Sequence, residues 1–182
     1  MKELVLGGAR SGKSAWAQRR ALENGRSVVL IATAVAGDAE MAARIARHRE
    51  DRPADWIVVE EPVALADVLA RHAAPDRCLV VDCLTLWLAN LLCPAGSHGQ
   101  LADAEGDTLR MFEHERTQLL SVLPQLAGHI ILVSNEIGLG VVPADAVSRW
   151  FGDEAGRLHQ ELARLCDRVT MMVAGLSLEL KR

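Results

Sequence analysis

The sequence has no tyrosine, and aromatic residues fill only 3% of its 182 positions. So few rings offer no stacking platform for single-stranded nucleic acid. Positive charge is not in excess either: 20 Lys and Arg stand against 24 Asp and Glu, a formal net charge of −4. General nucleic-acid binding needs a basic surface, and this composition argues against it. The cysteines Cys78, Cys83, Cys93 and Cys166 form no Cys-x-x-Cys pair, which argues against a zinc site and a dithiol redox motif. Three of them lie in apolar stretches and read as small core residues. No apolar run is long enough to cross a membrane, and Met1-Lys2-Glu3 leads directly into an apolar segment instead of a leader peptide. The expectation is a soluble, reduced, cytoplasmic protein without membrane insertion. No internal repeat or low-complexity tract interrupts the chain, so 1–182 is expected to form one domain, large enough to bury roughly 70% of its unfolded surface.

What is present begins with Gly7-Gly8-Ala9-Arg10-Ser11-Gly12-Lys13-Ser14, a GxxxxGKS loop. The glycines let the backbone curl so that successive N–H groups point into one concavity, a cradle for phosphate oxygens. Lys13 is placed to reach the outer phosphates, and Ser14 to offer a hydroxyl to a bridging Mg²⁺ ion. The context is the required one. Glu3-Leu4-Val5-Leu6 reads as a buried strand before the loop, and the residues from Ser14 to Leu22 read as a helix after it. That helix adds its positive dipole end to the same spot.

Strand and helix signals then alternate. Ser27-Val28-Val29-Leu30-Ile31-Ala32 is an apolar strand. Ligands in open α/β sheets bind beyond the carboxyl ends of the strands, so Ala32, Thr33 and Ala34 are candidate lining. A helix is expected over 38–49, capped by Asp38, with Met41 and Ile45 on one face and His48 close to it. Its arginines Arg44, Arg47 and Arg49, with Arg52 beyond, form either a solvated face or a cradle for a triphosphate. Trp56-Ile57-Val58-Val59 is a strand running into Glu60 and Glu61, and a helix is expected over 63–71. Cys78-Leu79-Val80-Val81-Asp82 is an apolar strand ending in an acid. With the phosphate loop upstream, Asp82 reads as a metal-orienting acid; the other reading is a cap for the next helix.

The apolar helix expected over 84–92 belongs either in the core or at a subunit contact. A loop is expected over 94–106. A long helix to about 123 follows, then the strand His129-Ile130-Ile131-Leu132-Val133-Ser134 and a shaped loop, Asn135-Glu136-Ile137-Gly138-Leu139-Gly140-Val141-Val142-Pro143. A helix from 145 or 146 to 166 precedes a closing hairpin over 168–173 and 176–180. The fold class is α/β: a RecA-like P-loop NTPase sandwich of three layers, with a mostly parallel sheet covered on both faces and a C-terminal antiparallel strand.

A fold of this kind hosts many chemistries, so the fold alone does not choose among them. No Asn-Lys-x-Asp tetrad of guanine-specific switches is present, since Asn135 is followed by Glu136. The residues alone read best as a small-molecule kinase. A nucleotide-dependent switch or binding protein is the reading from another class.

Several stretches together resemble one family, the bifunctional adenosylcobinamide kinase/adenosylcobinamide-phosphate guanylyltransferases of cobalamin synthesis. They are the GGARSGKS loop at 7–14, Ile31-Ala32-Thr33, Glu40-Met41-Ala42-Ala43-Arg44-Ile45 leading to His48, Arg52-Pro53, Trp56, and the segment from Val133 through Pro143. The resemblance implies phosphorylation of adenosylcobinamide by ATP or GTP, then transfer of GMP from GTP to adenosylcobinamide phosphate through a GMP-histidine. The matching residue here is His48. The position before it, often a second histidine in this family, is Arg47. The resemblance also implies nucleotide contacts at Ala32, Thr33, Ala34, Arg49, Glu50, Asp51, Arg52, Glu60 and Asp82, where the family often has Glu, and a homotrimer. A kinase without guanylyl transfer is the alternative within enzymes. The chemistry is coherent: neutral imidazole is a competent nucleophile, and neighbouring arginines would favour its neutral form and stabilise phosphates.

Overall fold

Runs of Val, Ile and Leu favour extended backbone where both faces are covered, and the chain uses them for its strands. The computed structural model describes residues 1–37, 39–40, 42–43, 46, 53, 55–93 and 107–182. Within these, β1 is Lys2–Gly7, β2 Ser27–Ala32, β3 Ile57–Glu60, β4 Arg77–Asp82, β5 His129–Asn135, β6 Arg168–Val173 and β7 Leu176–Lys181. The helices are α1 Lys13–Glu23, α2 Leu65–His72, α3 Leu84–Leu92, α4 Asp107–Val122 and α5 Ala146–Leu165. Residues 39–40, 42–43 and 46 are helical, within the helix expected over 38–49. His48, Arg49, Glu50, Asp51 and Arg52 lie outside the described residues, as does the loop expected over 94–106.

The strands form one sheet in the order β3-β2-β4-β5-β1-β6-β7. Every pairing is parallel except that of β6 with β7. The closing hairpin is therefore present as expected, turning at Ala174 and Gly175, both with positive φ.

Alternation along the strands sends side chains to two faces. Leu4, Val29, Leu79, Ile130 and their partners pack against α2, α3, α4 and α5. Val5, Leu30, Val80, Ile131 and Val133 pack on the other face against Ala17 and Ala21 of α1 and against Trp56. The structure decides the place of α3: Leu84, Trp87, Leu88, Leu91 and Leu92 are all buried in the first cluster. It is a core helix. Trp87 also donates its indole N–H to the Val63 carbonyl at 2.7 Å.

The expectation of two covered faces fails at the rims. Ile57 and Val58 of β3 are exposed, and every residue of β7 is exposed. The physical reason is position: these are the two edge strands, each paired on one side only. The cysteine expectation holds: Cys78, Cys83 and Cys166 are buried. Burial pushes the thiols of Cys78 and Cys83 up to about 11 and that of Cys166 up to about 12, so they stay protonated and inert.

One polar cluster is buried at the amino end of β1. Glu3 is 1% exposed, and Arg20 of α1 donates to its Oε1 at 2.8 Å. Asn24 Oδ1 accepts the Arg26 N–H at 2.9 Å, which orients the Asn24 amide nitrogen toward His129 Nδ1, 3.1 Å away. Nδ1 is thus the acceptor, and His129 Nε2 lies 3.1 Å from Glu3 Oε1. Burial alone would push the Glu3 carboxyl up; the contacts with His129 and Arg20 outweigh it and hold the group at about 2. A carboxyl lowered on folding adds stability above its unfolded value and loses it as pH falls toward the folded one. We expect this contribution to disappear between about pH 4.5 and 2. Glu3→Gln should lower neutral-pH stability by about 3 kcal/mol and flatten the acid limb of stability, as measured by urea unfolding from pH 7 to pH 2. An unchanged acid limb would show that Glu3 does not carry it.

Candidate active site

The phosphate loop leaves β1 at its carboxyl end and feeds α1 at Lys13. Two of its residues are held in the left-handed region, Arg10 at φ 57° and Gly12 at φ 92°. The Ser11 N–H donates to the Gly8 carbonyl at 3.2 Å, and Trp16 N–H to the Gly12 carbonyl at 2.9 Å. The loop is clamped by the C-terminal hairpin. Gly175 N–H donates to the Ser11 carbonyl at 3.0 Å. A Cβ on Gly12 would meet Gly175 Cα at 3.3 Å. A Cβ on Gly7 would meet Ser11 Oγ at 2.5 Å and the Met172 carbonyl at 2.7 Å. Glycine at position 7 is therefore demanded by close approach, not only by flexibility.

Several groups in this loop are poised for an anion. The amino end of α1 has no side-chain cap and no acidic residue in its first turn, so its N–H groups and dipole are directed at the loop. Ser11 Oγ is buried and has no hydrogen-bond partner among the described residues. Lys13 is buried, and its ammonium donates to the Gly8 carbonyl at 3.1 Å, folded over the loop. Burial pushes the ammonium below its ordinary value, while Cys83 and Asp82 oppose that. Because the Cys83 thiol stays protonated, Asp82 is the anion that Lys13 feels at neutral pH. Ser14 is partly buried.

Parallel register brings the remaining described candidates into one row. Ala32 is the Cα partner of Glu60 on one side and of Asp82 on the other. Asp82 pairs in turn with Val133, and Gly7 with Asn135. Neighbouring strands lie about 4.8 Å apart, so Glu60 and Asp82 are separated by one strand. Alternation places Ala32, Glu60 and Asp82 on the α1 face, the side of Lys13. Stretches that are distant in sequence thus meet at one carboxyl edge. Asp82 is partly buried, Glu60 is exposed, and Ala34 is partly buried.

Thr33 is fully buried. Its hydroxyl donates to the Cys83 carbonyl at 2.7 Å and accepts the Cys83 N–H at 3.0 Å. Its own carbonyl accepts from Asn90 at 2.8 Å. Its side chain pins the exit of β2 to the exit of β4 and so fixes where Asp82 stands. Sequence reasoning gave Thr33 as lining and did not foresee this pin. Two further residues were missed altogether: Thr85 and His159, which bond to Asn135 and Ser134 at the end of β5. Nothing in helical or strand periodicity marks them, because their partners lie on other elements.

Comparison with known proteins bears on the family and the fold. A profile described as cobinamide kinase / cobinamide phosphate guanyltransferase matches residues 3–180. A bifunctional adenosylcobalamin biosynthesis protein, CobP of Pseudomonas aeruginosa, is 56% identical over 181 residues, covering 100% of this chain and 98% of that protein. The bifunctional adenosylcobalamin biosynthesis protein CobU of Salmonella typhimurium is 35% identical over 182 residues, with 100% of both chains covered. Among solved structures, the RadB recombinase superposes with a TM-score of 0.50 at 14% identity, covering 93% of this chain and 73% of that one. A type III secretion ATPase gives 0.51 at 15% identity, covering 98% of this chain and 56% of that one. These two share the fold, the RecA-like P-loop sandwich with a mostly parallel sheet, and say nothing of substrate. With the profile spanning almost the whole length and relatives aligned end to end, this chain belongs to the cobinamide kinase / cobinamide phosphate guanyltransferase family.

Proposed function

We propose that one domain carries both reactions of the family at the carboxyl edge of its sheet. The observation that supports this most is the phosphate loop itself: an uncapped helix start, a buried Ser11 hydroxyl without a partner among the described residues, and a lysine folded over the loop. These groups match the β- and γ-phosphates of ATP or GTP.

In the first reaction the aminopropanol hydroxyl oxygen of adenosylcobinamide attacks the γ-phosphorus. The bond from that phosphorus to the bridging oxygen breaks, the nucleoside diphosphate leaves, and the hydroxyl proton passes to solvent. Lys13 and the loop N–H groups stabilise the charge that collects on the transferring group. In the second reaction an imidazole nitrogen of His48 attacks the α-phosphorus of GTP and pyrophosphate leaves. A phosphate oxygen of adenosylcobinamide phosphate then attacks the same phosphorus, the P–N bond breaks, and His48 is restored with adenosylcobinamide-GDP as product. Arg49, Glu50, Asp51 and Arg52 follow the nucleophile and, with Ala32, Ala34, Glu60 and Asp82, make the proposed nucleotide contacts, while the buried Thr33 holds the strand exits beside them.

Ser14 and Asp82 supply hard oxygen donors beside the loop and fit Mg²⁺. The ion, when bound, neutralises charge between the outer phosphates. A cytoplasmic location fits the nucleotide substrates; no helix among the described residues is long and apolar enough to cross a membrane. A homotrimer fits the exposed apolar residues of the loop after β5, where Val141 is 96% exposed alongside Leu139 and Val142.

Three outcomes are expected. Lys13→Ala should lower phosphoryl transfer by about 10²–10³-fold, read as the rate at which phosphorylated acceptor forms per enzyme. Intact-protein mass spectrometry after incubation with GTP and Mg²⁺ should show a GMP-sized adduct on the native chain and none on His48→Ala, while phosphoryl transfer by that variant persists. An adduct on both proteins would move the nucleophile elsewhere; none on either would leave a plain kinase. Sedimentation should show a trimer that Val141→Asp weakens, and a native monomer would refute the assembly.

A further inference from the structure

The carboxyl end of β5 carries a chain of polar groups that the two reactions above do not use. Ser134 is 1% exposed and His159, on α5, is 8% exposed. His159 Nε2 lies 2.7 Å from Ser134 Oγ, and Ser134 Oγ lies 3.2 Å from Thr85 Oγ1. Thr85 Oγ1 accepts the Asn135 N–H at 2.7 Å. On the other side of the ring, His159 Nδ1 faces Glu136 Oε2 at 4.0 Å, and Glu136 Oε1 accepts the Gly138 N–H at 2.5 Å.

The hydrogens in this chain can be ordered. Burial pushes His159 below its ordinary value, with Glu136 opposing, so the ring is neutral at pH 7 and has one proton to place. The Glu136 carboxylate draws that proton to Nδ1. Nε2 then accepts from Ser134, Ser134 accepts from Thr85, and Thr85 accepts from the Asn135 amide. Each hydroxyl donates once and accepts once. The order Glu, His, Ser has the look of a nucleophile triad, but Ser134 is closed off from substrate and its oxygen is already shared with Thr85. The chain holds something in place.

What it holds is Asn135. Ser134 faces α3 and α5, so alternation turns the Asn135 side chain to the α1 face, the side of Lys13 and Asp82. Its register partner is Gly7, the first residue of the phosphate loop. The next residue, Glu136, donates its N–H to the Gly7 carbonyl at 3.0 Å. Thr85 stands three positions after Asp82, so the chain also ties the exit of β4 to that of β5. A carboxamide here offers a side-chain N–H donor to a phosphate oxygen from β5, across from the donors that the loop supplies through its backbone, its serine hydroxyls and Lys13. Resting on the nucleotide reading of this edge, we propose that Asn135 contacts the reacting phosphate, and that His159, acting through Ser134 and Thr85, is a positioning residue that fixes Asn135 there.

The test uses the full-length protein, with phosphoryl transfer and the GMP adduct assayed side by side. Asn135→Ala should lower kcat for phosphoryl transfer by about 10²-fold with the nucleotide KM changed by less than about threefold. His159→Asn keeps an amide near the Nδ1 position but cannot reach Ser134; it should lower kcat by about tenfold. His159→Gln places its amide near the Nε2 position and should recover most of that loss. In the Asn135→Ala background, His159→Asn should cost nothing further, since residues that act as a unit are not additive. A native kcat for Asn135→Ala, an equal loss from His159→Asn in both backgrounds, or no recovery with Gln would overturn the proposal. Nitrogen-15 NMR of the native protein gives a readout that needs no activity: an Nδ1-protonated neutral ring supports the chain, and an Nε2-protonated one refutes it. A native protein with neither transfer nor adduct would instead sink the functional reading, and the NMR result would still judge the chain.

Discussion

The contact on which the site depends is the Gly175 N–H bonded to the Ser11 carbonyl at 3.0 Å. A loop containing Gly7, Gly8 and Gly12 has wide conformational freedom, and fixing each residue costs about 1–2 kcal/mol. The cradle exists only if something external meets that cost. Here β1 is held between β5 and β6, so both flanks of the loop's entry are fixed. The hairpin tip then closes on Ser11, with Gly12 so near that a Cβ on it would meet Gly175 Cα at 3.3 Å, while Gly175 itself takes a positive φ that favours glycine. The antiparallel ending of an otherwise parallel sheet thus has a purpose at the site: it delivers the turn at Ala174 and Gly175 to the phosphate loop.

Parallel pairing does the rest. All strand ends that exit beside α1 point the same way, so Glu60, Ala32, Asp82 and Asn135 fall along one edge without any further device. Polar pins then stiffen the exits: Thr33 holds Cys83, and Thr85 holds Asn135. The opposite end of β1 is closed by Glu3, Arg20 and His129, a polar cluster built around a buried carboxylate. Stability and chemistry are therefore built at opposite ends of the same strand, which lets acid weaken the fold without passing through the site.

Much of this was legible in the residues. The loop at 7–14 announces itself because glycine spacing and a terminal Lys-Ser are demanded by local backbone geometry. The apolar strands and the hairpin follow from runs and turn residues that act within a few positions of each other. Asp82 stood out because an acid ends an apolar strand. What escaped was whatever depends on a partner far away in sequence. Thr33 looked like lining and is a buried pin. His159 sits on an amphipathic helix with nothing in the periodicity to mark it, and gains meaning only when Ser134 arrives from β5. The apolar helix over 84–92 read equally as core or interface, because both bury the same side chains.

The sequence by itself determined the phosphate loop, the alternation of strand and helix, and the family to which the chain belongs, since each rests on residue types at short, fixed spacings. Tertiary structure alone decided which strands stand side by side. That order set Asp82 against Lys13, put Asn135 beside Gly7, and left β3 and β7 as bare rims. The reason is that periodicity reports which face of an element is apolar, while the neighbour that covers that face is chosen by packing and hydrogen bonding across the whole chain.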